Sequence, residues 1–219
     1  MFRSHMRHPD LDPLLFADGD LRGTLDAQAA RMVEAIERFD GNRLLNTPTQ
    51  DLVDYFVSEA TVEAAVLKED QAAVDHEEAQ IDMSHDFRYG PRDDDRPILV
   101  PGAAYRLHVP FTGDPTVFRC QASRGTLNPP RARVERNEVI ITHRALQGES
   151  GETVNKALRG VMSTIQEHLV WAKNDIDQYN STLPQRALQA VEKRKRRLLD
   201  NQNTVAALGF PLRRREGAA

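Results

Sequence analysis

The feature that most constrains the fold is an apolar stripe in the last third of the chain, from Glu152 to Leu208. Its apolar residues recur at steps of three and four, which is the spacing of one face of an amphipathic helix. The first part of the stripe contains Val154, Leu158, Val161, Ile165, Leu169, Ala172, Ile176, Tyr179 and Leu183. A second stripe follows Pro184. Because proline interrupts helices, the pattern predicts a long helical hairpin that turns at Leu183-Pro184.

A stripe of this length must be covered by other apolar surface. The helix predicted after Pro184 is too short to cover the whole of the helix before it. Unless the sheet covers the rest of the stripe, it must pack on another chain. We therefore expect a homo-oligomer with coiled-coil packing, in which Leu158, Ile165 and Leu169 lie near the interface. This expectation favours a scaffolding or assembly role.

Composition narrows the class of protein. The chain has 219 residues, which is enough for one large domain or two small ones. Apolar residues make up 40% and charged residues 28%, which suits a protein with much exposed helix surface. No apolar run is long enough to cross a membrane, and the first residues do not resemble a secretory signal. Because Cys120 is the only cysteine, no internal disulfide can form, and we expect a cytoplasmic protein.

Charge is distributed unevenly along the chain. Of the 33 acidic and 29 basic side chains, 22 acidic and 10 basic ones lie in residues 1–100. The basic residues of the other half are concentrated in Lys193–Arg197 and Arg213–Arg215. One interpretation is that the two halves attract each other within the fold or between subunits. The other is a nucleic-acid surface, in which phosphates contact Lys193, Arg194, Arg196, Arg197, Arg213, Arg214 and Arg215.

Periodicity divides the chain into three predicted segments. They are an N-terminal arm with helices at 1–60, a β-rich region at 61–148, and the helical hairpin with its basic end at 149–219. The first segment begins with a loose arm over 1–23, followed by a helix from Thr24 to Asp40. Thr47-Pro48-Thr49-Gln50 predicts the start of another helix, in which Thr47 and Gln50 form a capping box.

Alternation of apolar and polar residues predicts the strands of the β-rich region. The clearest alternation places four residues on one buried face, namely Tyr105, Leu107, Val109 and Phe111. Residues 65–83 are ambiguous between helix and strand, and the alternation near their end favours strands. A short strand at Val117-Phe118 and a hairpin that turns at Arg136-Asn137 complete the region. A helix pair, a mostly antiparallel sheet and a second helix pair indicate an α+β fold.

The common catalytic motifs are absent from the sequence. Neither phosphate-binding loop occurs, and Gly148-Glu149-Ser150-Gly151 lacks the spacing of a nucleophile elbow. The densest group of possible metal ligands consists of Asp75, His76, Glu77, Glu78, Asp82, His85 and Asp86. On strands these side chains alternate between two faces, so a solvated acidic surface is favoured over a Mg²⁺, Mn²⁺ or Zn²⁺ site. We therefore expect no catalytic residue, metal or cofactor, and a metal-dependent hydrolase is the least favoured alternative.

Several segments resemble the N-terminal region of a bacterial protein family. They are Val74-Asp75 with Ser84-His85-Asp86, Pro97–Gly102, His108–Asp114, Thr126–Arg131 and Leu208–Arg213. The family is restriction-endonuclease-like, with a nuclease-type domain of the PD-(D/E)xK class at its C-terminus. The resemblance covers residues 48–215 and implies a role in DNA restriction or anti-phage defence. It also implies that the nuclease-type domain would lie beyond residue 219, so no catalytic residue is carried over.

These observations predict a non-catalytic module of a DNA-targeting effector, which senses, scaffolds or oligomerises. A fused or separate nuclease domain and a second copy of the chain are the expected partners, and no membrane is expected. The alternative is a module that binds nucleic acid directly through Lys193–Arg197.

Overall fold

The computed structural model describes residues 11–84 and 97–210. These residues combine α-helices with a mostly antiparallel sheet, which confirms the predicted α+β class. In chain order the elements are β1 (Gly19–Asp20), α1 (Leu21–Arg38), α2 (Gly41–Asn46), α3 (Thr49–Ala60), β2 (Val66–Leu67), β3 (Ala73–Asp82), β4 (Leu99–Thr112), β5 (Cys120–Gln121), β6 (Arg133–Glu135), β7 (Glu138–Leu146) and α4 (Gly151–Ala207). Among the described helices, none has the length and apolar character that crossing a membrane requires.

The chain forms two compact units. Unit 1 consists of Met1–Arg22 and Glu63–Ile176, and unit 2 consists of Gly23–Val62 and Asp177–Ala219. Helix α4 contributes its first part to unit 1 and its second part to unit 2. Each unit therefore combines distant parts of the sequence, unlike the three consecutive segments that periodicity indicates.

Strand β4 lies at the centre of the sheet in unit 1. It pairs antiparallel with β7 on one side and with β2 and β3 on the other, and β6 pairs with β7. The predicted buried face of β4 is confirmed for Leu107, Val109 and Phe111, whereas Tyr105 on the same face is only half-buried. Arg106 and His108 lie on the opposite face, where they contact Asp75. Period-two alternation locates this part of the strand because the side chains of Leu107, Val109 and Phe111 pack on one face and those of Arg106 and His108 lie on the other.

The predictions for two short segments of unit 1 have different outcomes. The hairpin at Arg136-Asn137 is confirmed, since these residues join β6 to β7 and Arg136 adopts a left-handed φ of 54°. The strand at Val117-Phe118 is wrong, because Pro115–Phe118 is a short 3-10 helix. The Asp114 carboxylate accepts a hydrogen bond from the backbone N–H of Thr116 at 2.8 Å, and proline fits the first helical position.

Part of the N-terminal arm belongs to the fold of unit 1, so the prediction of a loose arm is wrong for these residues. Leu14 forms an isolated bridge with Arg131, and β1 pairs with β5 in parallel. Leu15 and Phe16 are buried. Phe16 has a φ of 55°, which is unusual for a bulky residue, and its ring stacks on that of His168. Burial of these apolar side chains overrides the local signal of the surrounding proline and glycine residues.

Helix α4 continues without a break through Pro184, so the predicted helical hairpin is wrong. Proline removes one backbone hydrogen bond and costs about 3 kcal/mol in a helix interior. Pro184 lies on the exposed face, whereas Leu183 and Ala187 are fully buried on the other. The apolar spacing of a single helix thus continues across the proline, and the packing of that face outweighs the local cost.

The first part of the apolar stripe of α4, from Val154 to Leu183, is buried within the chain itself except at Val161, which is half-buried. Ile165 is fully buried, and Leu158 and Leu169 are 5% and 6% exposed. These three residues do not form a free surface, which removes the observation from which the oligomer interface was predicted. The homo-oligomer stays a prediction.

Unit 2 combines α1, α2 and α3 with the second part of α4. The helix predicted at Thr24 is confirmed as α1, which buries Leu25, Ala29, Met32 and Ile36. The predicted capping box is wrong. Pro48 is the N-cap of α3, and the Thr47 hydroxyl donates instead to the Arg43 carbonyl at the end of α2, at 2.7 Å. The Tyr179 hydroxyl donates to the Ala60 carbonyl, which fixes the end of α3.

Candidate functional site

Two cations of the basic run, Arg194 and Lys195, bind backbone carbonyls inside unit 2. The Arg194 guanidinium donates to the Phe39 carbonyl, which follows the end of α1. The Lys195 ammonium donates to the Thr47 carbonyl, which follows the end of α2, at 2.7 Å. The last carbonyls of a helix lack intrahelical donors and carry partial negative charge. Both side chains therefore stabilise helix ends.

A third cation of the run, Arg197, forms an ion pair with Glu37 of α1. The hydrogen bond from Arg197 lowers the pKa of Glu37, and the nearby charges of Arg194 and Lys193 act in the same direction. Lys193 and Arg196 are exposed on α4. The predicted residues Arg213, Arg214 and Arg215 lie outside the described residues. The structure therefore does not present Lys193–Arg197 as one free basic face, and it favours the interpretation in which opposite charges attract within the fold.

The acidic run predicted as a surface lies on β3, with its side chains split between the two faces of the strand. Asp75 and Glu77 share a face with Arg106 of β4, whereas His76 and Glu78 lie on the other. His85 and Asp86 fall outside the described residues. Within residues 11–84 and 97–210, no group of three His, Cys, Asp or Glu side chains could hold a metal ion.

A network of charged side chains covers the polar face of the sheet. Arg106 forms ion pairs with Glu77 and, at 3.5 Å, with Asp75, and the hydrogen bond to Glu77 raises the pKa of Arg106. The His108 ring lies between two carboxylates, with Nε2 3.0 Å from Asp75 and Nδ1 3.2 Å from Glu138. Cross-strand pairs of opposite charge stabilise a sheet.

This histidine borders a surface cavity of about 660 Å³, lined by His108, Glu135, Arg136, Asn137, Glu138 and Ile140. A histidine that acts as a general base for a nucleophile must contact a hydroxyl or thiol. Both hydrogen-bond partners of His108 are carboxylates. The geometry therefore holds strands β3, β4 and β7 together, and no hydroxyl or thiol of the described residues is hydrogen-bonded to His108.

The backbone of β3 has one edge that faces β4 and one that faces away. Two hydrogen bonds fix which residues point each way: the Phe111 N–H donates to the Asn137 carbonyl, and the Met83 N–H donates to the Ile98 carbonyl. In an antiparallel sheet, alternate residues point both their N–H and C=O groups to the same side. The odd-numbered residues of β4 therefore point to β7, and the even-numbered ones point to β3.

The residues of β3 whose backbone groups point to β4 are odd-numbered, because Ala73, Asp75 and Glu77 lie opposite the even-numbered residues His108, Arg106 and Ala104. The residues between them point their backbone groups outward, away from β4. We call these outward groups the open edge of β3, and they belong to Val74, His76, Glu78 and Gln80. No strand among the described residues pairs with this edge.

The side chains around the open edge are also exposed. Every residue from Ala73 to Glu78 is exposed, and the solvent-exposed fraction of Val74 is 58%. Sequence patterns alone did not identify this edge, because period-two alternation locates a strand without showing which strand lies beside it. The available signal was the charge on both faces of β3, which is typical of edge strands.

In comparisons with known proteins, no family model, curated protein or solved structure matches the chain. The resemblance to a restriction-endonuclease-like family gains no support from them and stays a prediction.

Proposed function

We propose that this chain is a non-catalytic protein-interaction module that binds a partner at the open edge of β3. The observation that carries the proposal is the row of outward backbone groups at Val74, His76, Glu78 and Gln80, none of which pairs with a described strand. An extended segment can add to such an edge as a further strand. Main-chain hydrogen bonds then supply affinity, and the side chains on either face supply specificity.

The way in which the fold uses its charged residues supports a binding role. His108 and Arg106 hold neighbouring strands through Asp75, Glu77 and Glu138. Such cross-strand pairs hold β3 rigidly against β4. A strand that is already fixed in an extended conformation loses less conformational entropy when a partner binds to it.

The proposal keeps the predicted assembly role but changes its surface, from the stripe of α4 to the edge of the sheet. Attachment to a DNA-targeting effector, a nuclease partner and a homo-oligomer stay predictions. Direct binding of nucleic acid through Lys193–Arg197 has less support, because Arg194, Lys195 and Arg197 are engaged within unit 2.

Selection from a displayed library of random ten-residue peptides tests the proposal, using the whole chain as the target. We expect peptides that bind the wild type to lose binding to Glu78→Pro. Proline there removes an outward N–H and leaves the ladder to β4 intact, and edge strands tolerate it on their solvent side. Gln80→Pro is a second variant of the same kind.

The matched control is Glu77→Pro, which removes an N–H that points to β4. We expect this variant to unfold at a lower temperature than Glu78→Pro, because it breaks a ladder hydrogen bond. If folded Glu78→Pro and Gln80→Pro keep every selected peptide, the open edge is not the binding surface and the proposal fails.

A further inference from the structure

The side chains around the open edge of β3 indicate what kind of segment it binds. Resting on the proposed function, we infer that the partner is an extended, basic segment with Lys or Arg opposite Glu78, Glu77 and Asp75, and an apolar residue opposite Val74. The charge of β3, the ion pairs on the face that it shares with Arg106 and the like-charge repulsion in self-pairing support such a partner.

Strand β3 has no basic residue other than His76, and it contains four acidic ones, namely Asp75, Glu77, Glu78 and Asp82. A strand added to an edge places its side chains directly opposite those of its neighbour, where opposite charges attract and like charges repel. An acidic or neutral segment would therefore bind less well than a basic one.

On the face shared with β4, Arg106 is the guanidinium that contacts both Asp75 and Glu77. These carboxylates remain 54% and 55% exposed. The His108 ring also contacts Asp75 and Glu138 on this face, so three carboxylates share one guanidinium and one imidazole. A further Lys or Arg can neutralise the excess negative charge. The partner residues opposite Asp75 and Glu77 share this face, since they lie two positions apart.

The other face has a different character. The His76 ring stacks on Tyr105, with the ring centroids 6.0 Å apart. Val74 and Glu78 lie on either side of His76 and are exposed. An apolar residue opposite Val74 would bury its side chain, and a cation opposite Glu78 would pair with the carboxylate. If the partner adds antiparallel, its sequence from N-terminus to C-terminus is basic, basic, any residue, basic, apolar. These five residues lie opposite Glu78, Glu77, His76, Asp75 and Val74 in that order.

A second copy of this chain fits the edge less well. Antiparallel self-pairing centred on Glu77 or Glu78 places that glutamate opposite its own copy. Pairing centred on His76 places Asp75 opposite Glu77 twice. Like charges directly opposite each other destabilise a strand pair. Charge complementarity therefore favours a basic partner of different sequence.

Two synthetic peptides test the inference on the whole chain. The first has the pattern given above in a threonine-rich background, and the second has glutamate in place of each basic residue. We expect the basic peptide to bind the wild type at least tenfold more tightly than the acidic one, with affinity that falls as salt rises. Glu78→Lys should weaken the basic peptide roughly tenfold and strengthen the acidic one.

Amide exchange gives an independent measurement. The N–H groups of His76, Glu78 and Gln80 should become protected when the basic peptide binds, and Glu78→Pro should abolish that binding. If selected library peptides require the open edge but are not enriched in Lys or Arg, the inference fails and the proposed function stands. If the basic peptide binds equally well to folded Glu78→Pro, both fail. A dimer of the wild type that Glu78→Pro dissociates would show that the occupant is a second copy, which also overturns the inference.

Discussion

Replacement of Pro184 by alanine should stabilise the protein. Proline in a helix interior is about 3 kcal/mol less favourable than alanine, because it removes a hydrogen bond and its ring crowds the carbonyl four residues earlier. Pro184 is exposed, so Pro184→Ala deletes no buried surface. Proline also restricts the unfolded chain, and losing that restriction offsets about 0.4–1 kcal/mol of the gain. The net expectation is a stabilisation of about 2 kcal/mol.

Urea unfolding followed by circular dichroism measures this gain as a shift of the midpoint to higher urea. The neighbouring exposed position provides a control, since Gln185→Ala changes helix propensity by only a few tenths of a kcal/mol. If Pro184→Ala leaves the midpoint unchanged or lowers it, the helix breaks at Pro184 as the sequence indicated, and the description of α4 as one helix is incorrect.

The other predictions concern the core, the basic run and a buried histidine. Ile165→Asp buries an unpaired charge at a fully buried position, and the monomer itself should lose its cooperative unfolding transition; a folded variant with normal stability would contradict this. Replacing Lys193, Arg194, Arg196 and Arg197 together by Gln should lower the unfolding temperature, because Arg194 binds the Phe39 carbonyl and Arg197 binds Glu37. Neither the wild type nor this variant should bind duplex DNA. Salt-sensitive DNA binding by the wild type that the variant lacks would contradict this prediction. Burial lowers the pKa of His168, so the unfolded chain binds more protons just below its own pKa of about 6.5. The contribution of His168 to stability should be constant above that pH and fall as the pH drops toward the folded-state pKa, and His168→Gln should remove this slope in chemical denaturation across pH.

The parts of the fold that the sequence predicted are those with a single dominant local signal. Leu107, Val109 and Phe111 alternate with residues that face away from the core, so both the strand and its buried face could be predicted. At Pro184 a strong local signal opposed a long apolar stripe. The stripe prevails because Leu183 and Ala187 are buried on the same face, and burial of that kind depends on packing with residues that are distant in sequence.

The candidate site was harder to predict because its properties come from distant contacts. The acceptors of Arg194 and Lys195 are the carbonyls of Phe39 and Thr47, which a run of cations does not reveal. The open edge of β3 likewise depends on the pairing of the central strand. Composition showed that β3 is acidic, but only the register with β4 shows which backbone groups point outward.

Hydrogen exchange of the individual β3 amides in the free protein tests the open edge most directly. The N–H groups of Asp75, Glu77 and Ala79 point to β4 and should exchange slowly. Those of His76, Glu78 and Gln80 point outward and should exchange nearly as fast as in an unstructured chain, which gives a strict alternation along the strand. Uniform protection from residue 74 to residue 80 would show that the edge is already covered and would contradict the proposed binding surface.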